Sequence, residues 1–382
     1  MNTEINQFDI EIDRTNTDSL KWEKYAGSDI LPLWVADMDF KASDAIIKAL
    51  HEKVEFGIFG YTNVPEELKS TLQQRLLHFY NWETKKDWQV WMPGMVPGLN
   101  IACRAYAEEG DDVITGIPVY PPFLLAPGNF NQNILKVPLI EKNNVWKYDL
   151  EAMRSMVTPR TKIFELCNPH NPVGRVFSKQ ELQDLADFCM EEDLVICSDE
   201  IHCELVLDKN KKHIPTATLS PEIESRTVTM MAPSKTFNIP GFGCSLAIIS
   251  NPKLRNQFKK ALAGIVPDAA ALGYYAALAA YKDSEVWRQE LLEYLRNNRD
   301  YLLREFENIP GIKMFPVEST YLGWLDVSEL NLENPDKFFE DAGVGLSDGR
   351  PFGMTGYMRI NFGCPKSTLV EAVRRIRKAL VV

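Results

Sequence analysis

Three short apolar runs in the middle of the chain each end in a cluster of residues able to ionise, hydrogen-bond or form covalent links. Cys167 is followed by Asn168-Pro169-His170-Asn171-Pro172-Val173-Gly174, Ser198 by Asp199-Glu200-Ile201-His202, and Met231 by Ala232-Pro233-Ser234-Lys235-Thr236-Phe237-Asn238. Short apolar runs of this kind read as strands, and in open α/β sheets ligands bind at the carboxyl ends of strands. If the three strands are neighbours, one pocket receives an amide, a carboxylate and an amine from distant parts of the chain.

Few chemistries use Asn, Asp and Lys with little else. A zinc or calcium site needs more His or carboxylate ligands at close spacing, so no metal is expected. A serine hydrolase needs a G-x-S-x-G turn, which the sequence lacks. Gly241-Phe242-Gly243 lacks the third glycine and the strand-to-helix context of a dinucleotide fingerprint. Pyridoxal phosphate suits the trio: a lysine forms the Schiff base, a carboxylate keeps the pyridine nitrogen protonated so that the ring acts as an electron sink, and an amide donates to the ring hydroxylate.

The sequence also resembles the fold-type I pyridoxal-phosphate enzymes of the aminotransferase class I/II superfamily, and within them the MalY/PatB-type cystathionine β-lyases. The resemblance rests on W-V-A-D-M-D-F (34–40), G-I-F-G-Y-T (57–62), N-P-H-N-P-V-G (168–174), S-D-E-I-H (198–202), S-K-T-F-N-I-P (234–240), S-T-Y-L-G-W-L-D (319–326) and M-R-I-N-F-G-C-P (358–365), in the family's order over nearly the whole chain. It implies that Lys235 is the Schiff-base lysine and Asp199 the partner of the pyridinium nitrogen. Asn171 and His202 would lie near the ring hydroxyl, Tyr120 would stack on the ring, and Ser234 with the backbone around Met95 and Val96 would hold the phosphate. Tyr61 would reach the phosphate of a neighbouring subunit, implying a homodimer with shared sites. Arg359 would clamp the substrate carboxylate, with Asn171, Val35 and Ala36 as the other substrate-facing positions. Many aminotransferases carry an arginine eight residues after the lysine; here that position is Gly243, a departure that favours the lyase branch.

These residues need a scaffold to bring them together. Strands are predicted at 112–115, 134–139, 162–167, 194–197, 228–231 and 246–249. Between the third and fourth, Ser178 and Glu181 form a capping box, and Leu182, Leu185, Ala186 and Cys189 make a stripe at helical spacing. Alternation of this kind implies an α/β fold, a mostly parallel sheet sandwiched by helices. After Pro252 the pattern turns helical, with a long amphipathic run over 285–307. A mixed tail follows: a strand over 321–327, a helix opened by Asn334-Pro335, a strand over 357–362 and a terminal helix from Ser367. The expected organisation is a large cofactor domain over 46–283 and a smaller α+β domain over 284–382, against which residues 1–45 pack.

Composition sets the outer bounds. With 42 basic and 53 acidic residues among 382, the formal net charge is −11, unlike the basic footprint of a nucleic-acid binder. Seven cysteines form no C-x-x-C pair, and their usage fits a reducing cytoplasm. Residues 1–20 lack the basic and apolar regions of a signal peptide. The most apolar helical stretch, 269–281, is shorter than the roughly 20 residues of a bilayer crossing, so no membrane role is expected.

Bland alternatives exist for each site residue: Asp199 as a helix cap, His202 as a core histidine, Tyr120 as packing among prolines, Arg359 as a structural ion pair. The expected activity is a carbon–sulfur β-lyase acting on cystathionine or related cysteine S-conjugates and giving thiol, pyruvate and ammonia. The alternatives are a class I/II aminotransferase and, more remotely, a non-catalytic regulatory or binding protein on the same fold.

Overall fold

The computed structural model describes residues 6–380; residues 1–5 and 381–382, at the outer edges of the two terminal segments, lie outside it. A seven-stranded sheet is built from β1 (Gln89–Met92), β2 (Asp112–Ile117), β3 (Asn133–Pro138), β4 (Thr161–Cys167), β5 (Val195–Asp199), β6 (Thr227–Met231) and β7 (Ser245–Ile248). Their spatial order is β1-β7-β6-β5-β4-β2-β3. The β3-β2-β4-β5-β6 block is parallel throughout, whereas β7 runs antiparallel to both its neighbours. The α/β class with a mostly parallel sheet is therefore as expected. β1 was not among the predicted strands, because four residues are too few to show a period, although the Pro93-Gly94 turn directly after them marks an element end.

Side-chain alternation divides the sheet into two buried faces. On β4, Phe164 and Leu166 join a core with Leu182, Leu185, Ala186 and Cys189 of the helix Lys179–Glu191. Ile163 and Cys167 face the other way, into a core with Leu99 and Cys103 of the helix α1 (Met95–Tyr106) and Phe258 of the helix Pro252–Leu262. The Ser178 hydroxyl accepts from the Glu181 amide while the Glu181 carboxylate accepts from the Ser178 amide, so the capping box is closed in both directions. The apolar run near 269–281 is the helix Ala271–Asp283, whose Tyr274, Ala276, Ala277, Ala280 and Tyr281 are buried inside the protein. No helix among the described residues is long and apolar enough to cross a membrane.

A second sheet is antiparallel, in the order Lys313–Met314, Leu322–Asp326, Tyr357–Asn361, Ser347–Asp348. The helices Glu285–Glu307 and Lys366–Leu380 cover it through Leu291, Leu295, Leu302, Val373 and Ile376. Leu31–Pro32 pairs in parallel with Val344–Gly345, tying the N-terminal segment to this smaller unit. That segment then crosses back towards the large sheet as the stretch 34–40.

Candidate active site

β4, β5 and β6 are adjacent, so the three polar clusters meet at one end of the sheet. Asp199 is the last residue of β5 and is 3% exposed. The Ile201 amide donates to its Oδ1 across 3.1 Å. Burial pushes the carboxyl up to about 7; the neighbouring Glu200 pushes the same way and the Lys235 amine opposes it. A buried carboxylate without a hydrogen-bonded cation is costly, and this one faces a cavity.

Lys235 lies in the turn after β6, a turn closed by the Phe237 amide on the Pro233 carbonyl and the Ile239 amide on the Ser234 carbonyl. Its amine donates to the Ala36 carbonyl across 2.7 Å. Burial lowers it to about 8, the Arg359 charge adds to that effect, and Asp37 and Asp199 pull it back up. It is thus a weaker base than an ordinary lysine.

His202 is buried, with Nδ1 unpartnered. Burial, and then the charges of Lys235 and Arg359, lower it to about 3, so the imidazole is neutral. Asn171 accepts through Oδ1 from Arg359 Nη1 at 3.1 Å. Arg359 also donates from Nη2 to the Trp34 carbonyl at 2.9 Å, lies 4.8 Å over the Phe352 ring, and leaves Nε unpaired. Burial pulls this guanidinium down to about 10, with no carboxylate among its hydrogen-bond partners. The bland reading of Arg359, a structural ion pair, has no partner among the described residues.

The cavity between these groups encloses roughly 800 Å³, counting its open mouth, and is lined by Ala36, Met95, Val96, Tyr120, Asn171, Asp199, His202, Ser234 and Lys235. Met95 and Val96 open α1 after Gly94, which supplies no side-chain cap. Their amides therefore belong to the unpartnered first turn of a twelve-residue helix, where an anion is favoured. Arg359 and Val35 stand just behind the wall: Val35 presents its carbonyl to Asn361 Nδ2 at 2.6 Å. Tyr61 lies apart from these residues. Its side chain is fully exposed, in a run with exposed Phe56, Ile58 and Phe59.

Two features of the wall were not foreseen. Ser245, the first residue of β7, lines the cavity beside Ser234 and the start of α1. It is there because β7 is antiparallel, which puts its first residue at the end where the parallel strands finish; nothing in the sequence signals that direction. Gly243 has φ +53°, and a Cβ there would sit 2.8 Å from the Pro93 carbonyl oxygen. The position eight residues after the lysine is thus closed to an arginine by the backbone that leads into α1.

The donor set fits pyridoxal phosphate. It offers an acid lacking its cation, an amine of lowered basicity, a neutral imidazole with an orphaned nitrogen, and free amides with two hydroxyls at a helix start. Comparison with known proteins agrees. The family model described as aminotransferase class I and II matches residues 28–376. The chain is 36% identical to cystathionine beta-lyase PatB of Bacillus subtilis (strain 168), over 98% of this chain and 99% of that one. Among solved structures it is similar to OvoB (TM-score 0.96, 44% identity, 98% of each chain). It is also similar to cystalysin from Treponema denticola, which contains pyridoxal 5'-phosphate (TM-score 0.95, 34% identity, 99% of each chain).

Proposed function

Because the chain belongs to the aminotransferase class I and II family, we propose that it is a pyridoxal-phosphate-dependent carbon–sulfur β-lyase. Its substrate would be cystathionine or a related cysteine S-conjugate, cleaved to thiol, pyruvate and ammonia. The observation that carries the reading is the pairing, in one cavity, of a Lys235 amine of lowered basicity with Asp199, beside an Arg359 guanidinium that has no carboxylate. The name of the Bacillus relative supports the sulfur substrate.

When bound, the cofactor supplies an electron-withdrawing ring that accepts the electron pair released at the substrate α-carbon. Asp199 would hold the ring nitrogen protonated. The Lys235 amine would take the α-proton as general base, for which a pKa near working pH is favourable. Arg359 and Asn171 bind the substrate carboxylate, and Arg359 does so as a two-pronged donor. Ala36 lines the substrate side, with Val35 behind it. Tyr120 would cover one ring face, and the neutral His202, with Asn171, would lie near the ring hydroxyl. The Met95 and Val96 amides with Ser234 would take the phosphate.

Tyr61, exposed among Phe56, Ile58 and Phe59, would be completed by a second copy of the chain, giving a homodimer in which it reaches the partner's phosphate site. A cytoplasmic setting is supported by seven cysteines that are all buried and free.

The test is incubation with cystathionine and no keto acid. Catalytic release of pyruvate and thiol is expected, and Lys235→Ala should abolish it. Turnover that appears only when a keto acid is added would instead establish the aminotransferase.

A further inference from the structure

The S-T-Y motif at 319–321 has no part in the site as described so far, yet Tyr321 touches it at a decisive atom. Its hydroxyl donates to the Ala36 carbonyl oxygen at 2.9 Å, and the amine of Lys235 donates to that same oxygen at 2.7 Å. Tyr321 is 1% exposed, and burial raises its hydroxyl far above the ordinary tyrosine range, so it is a permanent neutral donor. The flanking carbonyls of Val35 and Asp37 are both held at 2.6 Å by Asn361 Nδ2. The Ala36 carbonyl is therefore fixed in place with two donors on one oxygen.

We propose that Tyr321 is a positioning residue that keeps the Ala36 carbonyl hydrogen-bonded whenever Lys235 leaves it for the cofactor. Linkage joins the lysine nitrogen to the aldehyde carbon, expels the aldehyde oxygen as water, and takes the nitrogen's hydrogens away from Ala36. With Tyr321 present, the oxygen loses one of two donors. Without it, the oxygen is stranded at the wall of a filled pocket, and a stranded buried acceptor is costly. Tyr321 thus lowers the cost of each departure of the lysine, while adding nothing to a ligand that leaves the lysine on its dock. The inference rests on Lys235 being the cofactor lysine.

The experiment compares two probes on cofactor-free protein: pyridoxal phosphate, which takes the lysine, and pyridoxamine phosphate, which fills the same pocket with an amine and cannot. Tyr321→Phe keeps the ring and its edge-on approach to His202, whose ring centroid lies 6.3 Å away. The aldehyde should bind about tenfold more weakly to this variant, a loss in the range expected for one stranded acceptor, and the amine form should bind as it does to the unaltered protein. Tyr321→Leu, which lacks the hydroxyl without an aromatic ring, should show the same selective loss against its own amine-form affinity. Equal weakening of both probes, or no weakening of either, overturns the proposal. In Lys235→Ala the aldehyde should lose its advantage over the amine form; an advantage that persists there removes Lys235 from its role and the proposal with it.

Discussion

Arg359 Nη1 donates to the side-chain oxygen of Asn171 across 3.1 Å, joining the antiparallel sheet of the small unit to the loop that follows β4 in the large one. An amide oxygen is a weak partner for a guanidinium that is 5% exposed, and a buried charge normally demands a counter-ion. The contact holds the guanidinium in place while leaving its charge uncompensated, as the proposed binding of a substrate carboxylate requires.

Arg359→Lys keeps the charge and loses the planar fork, the bond to the Trp34 carbonyl and the stacking on Phe352. We expect kcat/KM for an amino-acid substrate to fall by about two to three orders of magnitude, corresponding to roughly 3–4 kcal/mol for a disrupted buried ion pair. Steady-state kinetics checks this, and a loss below threefold would assign the substrate carboxylate to another group.

Gly243 is the site of a second prediction. Because φ is +53° and the Cβ position lies 2.8 Å from the Pro93 carbonyl oxygen, Gly243→Ala should destabilise the protein by at least about 1–2 kcal/mol. Gly243→Arg should lose stability as well and gain no affinity for the cofactor phosphate. Thermal melting and cofactor titration measure the two effects; tighter cofactor binding in the arginine variant would contradict the steric argument.

Glu165 predicts a pH dependence. It is wholly buried on β4, on the face of the sheet that carries Cys167, and the Cys103 thiol donates to it at 3.5 Å. Burial pushes its carboxyl up to about 8; the thiol opposes this and Asp199 adds to it. The folded chain then keeps a proton that the unfolded chain has lost, so folding stability falls as pH rises from about 4.5 to about 8 and levels off above. Glu165→Gln should flatten that part of the profile, leaving the variant more stable than the original by about 1–3 kcal/mol at pH 9 and little changed at pH 4. Parallel melting curves for the two proteins across this range would sink the idea.

The proposed shared-site dimer makes a quantitative prediction. Lys235→Ala and Tyr61→Ala proteins are each expected to be poorly active alone. Mixed and allowed to exchange subunits, they should recover about a quarter of full activity, because half the dimers are mixed and each mixed dimer holds one intact site. Recovery absent after exchange has been verified by mass would place Tyr61 outside the site.

The sequence by itself determined what local physics encodes. The Ser178–Glu181 capping box, the amphipathic helix over 285–307 and most of the apolar strands follow from neighbouring residues, and each polar cluster is attached to a strand end by a few peptide bonds. The cofactor class was legible for the same reason: lysine, aspartate and asparagine at strand ends leave few chemistries open.

Tertiary structure decided the rest. The adjacency of β4, β5 and β6 and the reversal of β7, which brings Ser245 to the cavity, depend on how crossover segments pack, and a strand reads alike in either direction. The meeting of Tyr321 and Lys235 on the Ala36 oxygen joins residues 285 and 199 positions away, and backbone carbonyls carry no sequence signature. The exposure of Tyr61 and the missing counter-ion of Arg359 are facts about surroundings. Residue type fixes what a side chain is able to do, but only the folded chain fixes what stands next to it.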